Sequence, residues 1–226
     1  MNRRVLLQTL GMGIFAAAGW PLAQADAAAD LQTAIIRDNF VQVRKLLQQG
    51  VDPNSVDERG RPALVKAMQL ESLRVAQELI KAPGIHINAA SPAGETALMH
   101  ACIKGHIDVV KQLLALGARV NHPGWSPLHY SASADTEHST AIAQLLLDQH
   151  AYIDAESPNK STPLMLAAQY GSQAMVQLLL DAGADVQARN ELGLSAVDFA
   201  RRSDRAFMVK ILEQAYQATR RSKASW

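Results

Sequence analysis

Seven histidines, one cysteine and an acidic cluster are the residues of this 226-residue chain that could do chemistry. Histidine binds metals or moves protons near neutral pH, and a neighbouring carboxylate can orient it. The densest grouping is Asp135, Glu137 and His138. It holds the residue types of a small hydrolase site, but a general base also needs a positioned partner and a pocket for substrate. No HExxH, CxxC or comparable ligand set occurs. His100 has no second histidine or carboxylate at helical ligand spacing, and no run of glycines could cradle a phosphate. Cys102 lies on an apolar helical face and reads as a small core residue without a disulfide partner. The expectation is a chain with no catalytic residue, no cofactor and no metal site.

The elements that would have to position these groups recur along the chain. A leucine-type residue opens a helical run at Leu31, Leu64, Leu98, Leu128, Leu164 and Val197, at spacings of 33, 34, 30, 36 and 33 residues. Each opener is followed by a second apolar cluster, such as Val110/Leu113/Leu114 or Val176/Leu179/Leu180. A period in this range predicts stacked helical hairpins rather than a globular domain around one cleft. Aromatic residues make up only 5% of the chain, and alanine and leucine dominate its apolar 48%, which suits small interlocking helices.

One unit shows the logic. Thr96 can cap a helix whose Leu98, Ala101 and Cys102 share one face. Gly105 supplies a left-handed stop, and Val109, Val110, Leu113 and Leu114 form the stripe of a second helix that Gly117 closes. Ser126-Pro127-Leu128-His129, Ser161 to Ala168 and Leu178 to Val186 resemble the opening and closing motifs of the ankyrin repeat. The resemblance covers residues 30 to 215. It implies an all-α solenoid of helix-turn-helix units with short β-hairpin-like turns. It also assigns His129 and the Gly-His turn at His106 to structure. Departures fall at Glu71 and His150, where glycine is usual, at the shortened turn Asn121 to Gly124, and at extra residues near Asp135 to Ser139.

The resulting plan is a signal peptide at 1–25, a short spacer at 26–30, a repeat domain at 31–222 and a tail at 223–226. Repeats are expected at 31–60, 61–94, 95–124, 125–160, 161–193 and 194–222, the outer two serving as caps. The leader expectation rests on Asn2-Arg3-Arg4, the apolar stretch Val5 to Ala18 and the small-residue site Ala23-Gln24-Ala25. Arg3-Arg4 also fits a twin-arginine export route in part. Export by the general secretory route or by the twin-arginine route points to a bacterial periplasm. Losing Arg3 and Arg4 leaves 20 basic against 21 acidic residues, a net charge of −1. That balance gives no electrostatic case for nucleic acid or for insertion into a membrane after leader removal.

Ankyrin repeats bind proteins through turn tips and the exposed positions of the first helix. The resemblance therefore implies a partner surface carrying Lys66, Glu95, His100, Lys104, Trp125, Tyr130, Tyr170 and Arg202. Trp125, Tyr130 and Tyr170 are the expected apolar anchors, because grouped aromatic residues carry much of the energy of protein interfaces. Trp125 has a second reading, as a lid packed over the turn at Pro123. The sequence thus points to a monomeric, non-catalytic adaptor or regulator that binds another protein. The alternatives are an inhibitor or immunity protein occluding a toxin or hydrolase of the cell envelope, and a hydrolase using Asp135, Glu137 and His138.

Overall fold

In the computed structural model, which describes residues 20–224, twelve helices form six antiparallel pairs. They are α1 (Trp20–Ile36), α2 (Phe40–Gln48), α3 (Ala63–Gln69), α4 (Leu73–Ile80), α5 (Ala97–Ile103) and α6 (Ile107–Ala115). Then follow α7 (Pro127–Ala132), α8 (Ser139–Asp148), α9 (Pro163–Gln169), α10 (Gln173–Asp181), α11 (Ala196–Arg202) and α12 (Ala206–Ala224). The odd-numbered helices stack on one another in one row, with the even-numbered row behind them. No strand occurs among the described residues. Only two antiparallel bridges, Val56 with Pro62 and Ala90 with Thr96, mark the hairpin-like turns. No described helix is long and apolar enough to cross a membrane.

Local sequence explains where the helices begin and end. Thr96, Thr162, Ser172 and Ser195 each accept a hydrogen bond from a free N–H of the first turn. The first-to-second helix turn needs a left-handed residue, and Gly105 supplies it at φ +73°. Asp38, Glu71 and Asp204 adopt the same conformation, so the departure at Glu71 is accommodated rather than avoided. Their neighbours turn this strained position to use. Asp38 bonds the backbone N–H of Val75 and the Arg74 side chain, while Glu71 receives Lys104 at 2.7 Å. His150 likewise takes φ +63° where its neighbours have glycine.

The core runs the length of the stack as one apolar seam. The opener residues Leu31, Leu64, Leu98, Leu128, Leu164 and Val197 all lie in it. Cys102 is fully buried, and that burial drives its thiol pKa upward, as a small core residue requires.

Between pairs, an asparagine crosses to the next unit. Asn54 bonds Gly84 O and His86 N, Asn88 bonds Gly117 O and Arg119 N, and Asn121 bonds His150 O and Tyr152 N. Asp154 takes that place one unit on, accepting from Asp185 N. From these residues the chain normally runs seven positions to the residue before the next helix cap, as from Asn54 to Arg61. From Asn121 it runs only four, to Trp125. One projecting turn is therefore cut short at the centre of the row. Gly60 abuts Pro92 of the turn before the shortened one, and the shortened turn still meets the following one through Gly124 and Pro158, but Gly94 faces open space.

Two boundaries differ from the sequence plan. Residues 26–30 are not a spacer but part of α1, because Ala27, Ala28 and Ala29 are strong helix formers. At the other end α12 runs through to Ala224, past the expected end of the repeats at residue 222. The leader expected at 1–25 lies outside the described residues apart from its last six, which open α1.

Candidate functional site

The odd-numbered helices put one residue in register on their exposed side, two positions after each opener. From α3 to α11 that column reads Lys66, His100, Tyr130, Leu166 and Phe199. Helix rows packed this closely bury much of such a column. Lys66 is only 6% exposed and His100 7%, while Tyr130 and Phe199 are half-buried. The expectation that Lys66 and His100 face solvent is corrected accordingly. Lys66 folds against Gln32 of the preceding unit, and His100 lies edge-on to Tyr130 of the next at 6.4 Å between ring centroids.

Three of the expected residues form one cluster. The Tyr130 hydroxyl donates to Glu95 Oε1 at 2.9 Å, and Glu95 Oε2 lies 3.6 Å from His100 Nε2. Burial, then the bond to Glu95, push the Tyr130 hydroxyl pKa upward, so it stays a neutral donor. Burial pulls the His100 pKa down against the opposing pull of Glu95.

A second grouping is apolar and open. Ile103, Trp125, Tyr130, Leu166 and Tyr170 line a groove of about 240 Å³ that crosses α5, α7 and α9. Trp125 is 38% exposed and Tyr170 55%, so both stand as walls with free ring surface. Trp125 makes its ring contact within its own unit. One edge packs on His129, with centroids 5.4 Å apart and planes at 81°, while the rest faces out beside the shortened turn. His129 is a fixed support. Its Nε2 meets the Ser161 carbonyl at 3.0 Å, so that nitrogen carries the proton. Its Nδ1 then accepts from the N–H and hydroxyl of Ser126.

The remaining expected residues lie apart. Lys104 pairs with Glu71 on a turn, and Arg202 is exposed at the end of α11. Ile103 and Leu166 also belong to the groove, and as aliphatic residues they carry no polar or aromatic signal in the sequence. The same two-residue offset from Leu164 would have found Leu166.

The loop from α7 to α8 holds Asp135, Glu137 and His138, all exposed. No hydrogen bond or ion pair joins them. Among the described residues, no three or more histidine, cysteine or acidic side chains gather closely enough to hold a metal ion.

The histidines give the fold a pH dependence. Burial holds His100, His122 and His129 below the usual imidazole range. The unfolded chain takes up protons first as pH falls through that range, so their contribution is intact above about pH 6.5 and is lost below it. Denaturant unfolding between about pH 7 and pH 5.5 should show stability falling with acidification. A flat profile across that window would contradict the buried neutral state of these rings.

Comparison with known proteins bears on this surface. A family model described as ankyrin repeats (3 copies) matches residues 31–123, 83–157 and 117–190. SH3 and multiple ankyrin repeat domains protein 2 of Homo sapiens is 31% identical over 160 residues, 69% of this chain and 8% of that protein. Neurogenic locus notch homolog protein 1 of Xenopus tropicalis is 38% identical over 117 residues, 50% of this chain and 4% of that protein. The chain thus spans only a small part of these curated relatives. A solved structure from Bdellovibrio bacteriovorus, a predatory endopeptidase in complex with an immunity protein, contains a chain that superposes with a TM-score of 0.70. Identity there is 25%, and the match covers 82% of this chain and 97% of that one.

Proposed function

This chain belongs to the ankyrin-repeat family, and from that premise we propose that it is a non-catalytic binding protein that occludes a hydrolase of the cell envelope. Ankyrin repeats bind other proteins, and the exposed groove between Trp125 and Tyr170 is the surface best suited to it here. The observation that supports the inhibitor reading is the likeness to nearly the whole of one chain of a solved complex between an endopeptidase and an immunity protein. The groove accepts one apolar side chain, and the cut-short turn beside Trp125 leaves room for the loop that bears it. The leader read at residues 1–25 supports placing the protein in the periplasm. The adaptor reading uses the same surface and differs in outcome, since an adaptor leaves its partner active.

The test is capture followed by reconstitution. Protein from Asp26 onward is used as bait in periplasmic extract, and any captured hydrolase is purified and assayed. One-to-one association with loss of hydrolase activity at equimolar ratio is expected. A tight complex with an undiminished partner returns the adaptor reading. Hydrolysis by the chain alone that is lost on His138→Ala would return the enzyme reading.

A further inference from the structure

A second pocket lies at the α1 end of the solenoid, between α1, α3 and the turn that joins α2 to α3. It has a volume of about 900 Å³, and Ala28, Gln32, Asp57, Arg61 and Lys66 are among its lining residues. Lys66 is unusual there. Its side chain is 7% exposed, and among the described residues its ammonium hydrogen-bonds only the neutral oxygen of Gln32, at 2.9 Å. An ammonium carries three N–H donors, and taking it out of water without an anion is costly.

Asp57 meets that need only in part. Its Oδ1 accepts from the backbone N–H groups of Arg59 and Arg61, and its Oδ2 accepts from Nε and Nη2 of Arg61 at 2.9 and 2.7 Å. Lys66 stays 3.9 Å away, outside hydrogen-bond reach. Burial pushes the Asp57 pKa up, but the bonds from Arg61 and Arg59 more than offset this and leave it low. Arg61 and Lys66 therefore share one buried carboxylate: Arg61 takes its hydrogen bonds and Lys66 keeps only the longer ion pair, so the pair of cations is balanced only in part. The Gln32 amide nitrogen beside it is also buried and without a partner. Turning that amide over would set nitrogen donor against nitrogen donor, so the orientation is fixed by Lys66. On the rim, Glu58 and Arg59 offset each other.

We propose that this pocket receives a carboxylate, presented as a glutamate or aspartate side chain on a loop of the partner protein. The pocket holds donors whose local acceptors are spent, together with one unbalanced positive charge. Ala28 and Ala29 leave room along α1 that larger side chains would fill. The volume exceeds what a lone anion needs and suits an incoming loop. The inference rests on the protein-binding reading of the chain and adds a second, polar anchor to the apolar groove.

Its test needs no partner, so failure here leaves the groove reading standing. Purified protein from Asp26 onward is titrated with the peptide acetyl-Gly-Glu-Gly-amide and, in parallel, with its glutamine analogue. The Lys66 side chain and the α1 and α3 backbone amides are followed by NMR. The glutamate peptide should give saturable shifts and the glutamine peptide none. In Lys66→Met, apparent affinity for the glutamate peptide should fall about tenfold or more, which is about 1.4 kcal/mol. That variant should also be at least as thermostable as the wild type, because a buried charge is replaced by an apolar chain of similar length. Equal responses to both peptides, no response to either, or a less stable Lys66→Met would each overturn the proposal.

Discussion

Replacing Trp125 and Tyr170 together by alanine should weaken partner binding by a factor of about 100 to 1,000 while leaving the protein folded. Interface residues of this kind cost about 2 kcal/mol or more each on truncation, and the two are not expected to add fully. The fold tolerates the change because both rings keep free surface, at 38% and 55% exposure. Trp125 loses one edge contact with His129, which is worth about 1 kcal/mol. His129 itself stays fixed by Ser126 and Ser161. Tyr130 should behave differently. Its hydroxyl holds Glu95, so Tyr130→Ala would disturb the cluster as well as the groove floor. The control is Glu137→Ala, on the exposed loop from α7 to α8, which should bind as wild type. Calorimetry with the captured partner, with thermal unfolding of each variant alongside, gives the answer. Unchanged affinity in the folded double variant would remove the groove from the interface.

Much of the fold is legible in the sequence because its signals are local. The openers, the Thr and Ser caps and the turn glycines recur at a fixed period, and each acts within its own unit. The left-handed turn at Glu71 was readable by the same comparison, since glycine stands there in the next unit. What the sequence hid were consequences of stacking. Lys66 and His100 occupy a column that is exposed in an isolated hairpin, and only the neighbouring helix buries them. The short turn at Asn121 was countable, but the open face beside Gly94 that accompanies it required the neighbouring turns to be placed. Trp125, Tyr130 and Tyr170 line one groove together with the aliphatic Ile103 and Leu166, which no aromatic pattern marks. Leu166 stands in the same column as Lys66, His100 and Tyr130, whereas Ile103 joins the groove only once α5 and α7 are stacked.

Gly171 is the position where stacking sets the tightest limit. Its backbone does not require glycine, since its φ is not in the left-handed region. Space requires it instead. A Cβ there would stand 2.5 Å from the carbonyl oxygen of Ala132 in the preceding unit and 3.0 Å from Ala167 Cα, both backbone atoms that cannot rotate away. Nor can the segment retreat. Arg205 of the next unit grips it, donating Nη2 to Gly171 O at 2.6 Å and Nη1 to the carbonyls of Ala167 and Ala168. Gly171→Ala must therefore separate α9 from α7 or break the Arg205 bonds, and should cost about 3 kcal/mol. Gly183→Ala makes the comparison. That glycine has φ +94° with nothing within 4 Å of the added carbon, so only the left-handed strain of about 1 kcal/mol applies. For a domain of this size the two losses translate to about 6–12 °C and about 2–4 °C in Tm. The damage at Gly171 also falls on one interface of a quasi-linear array, whose stability is a sum of units and nearest-neighbour contacts. Weakening the joint between the fourth and fifth units should let the last two open before the first four, so denaturant unfolding should broaden or split in Gly171→Ala and stay a single transition in Gly183→Ala. Equal losses with single transitions in both would mean that turn strain, and not the close approach of α7 and α9, governs these positions.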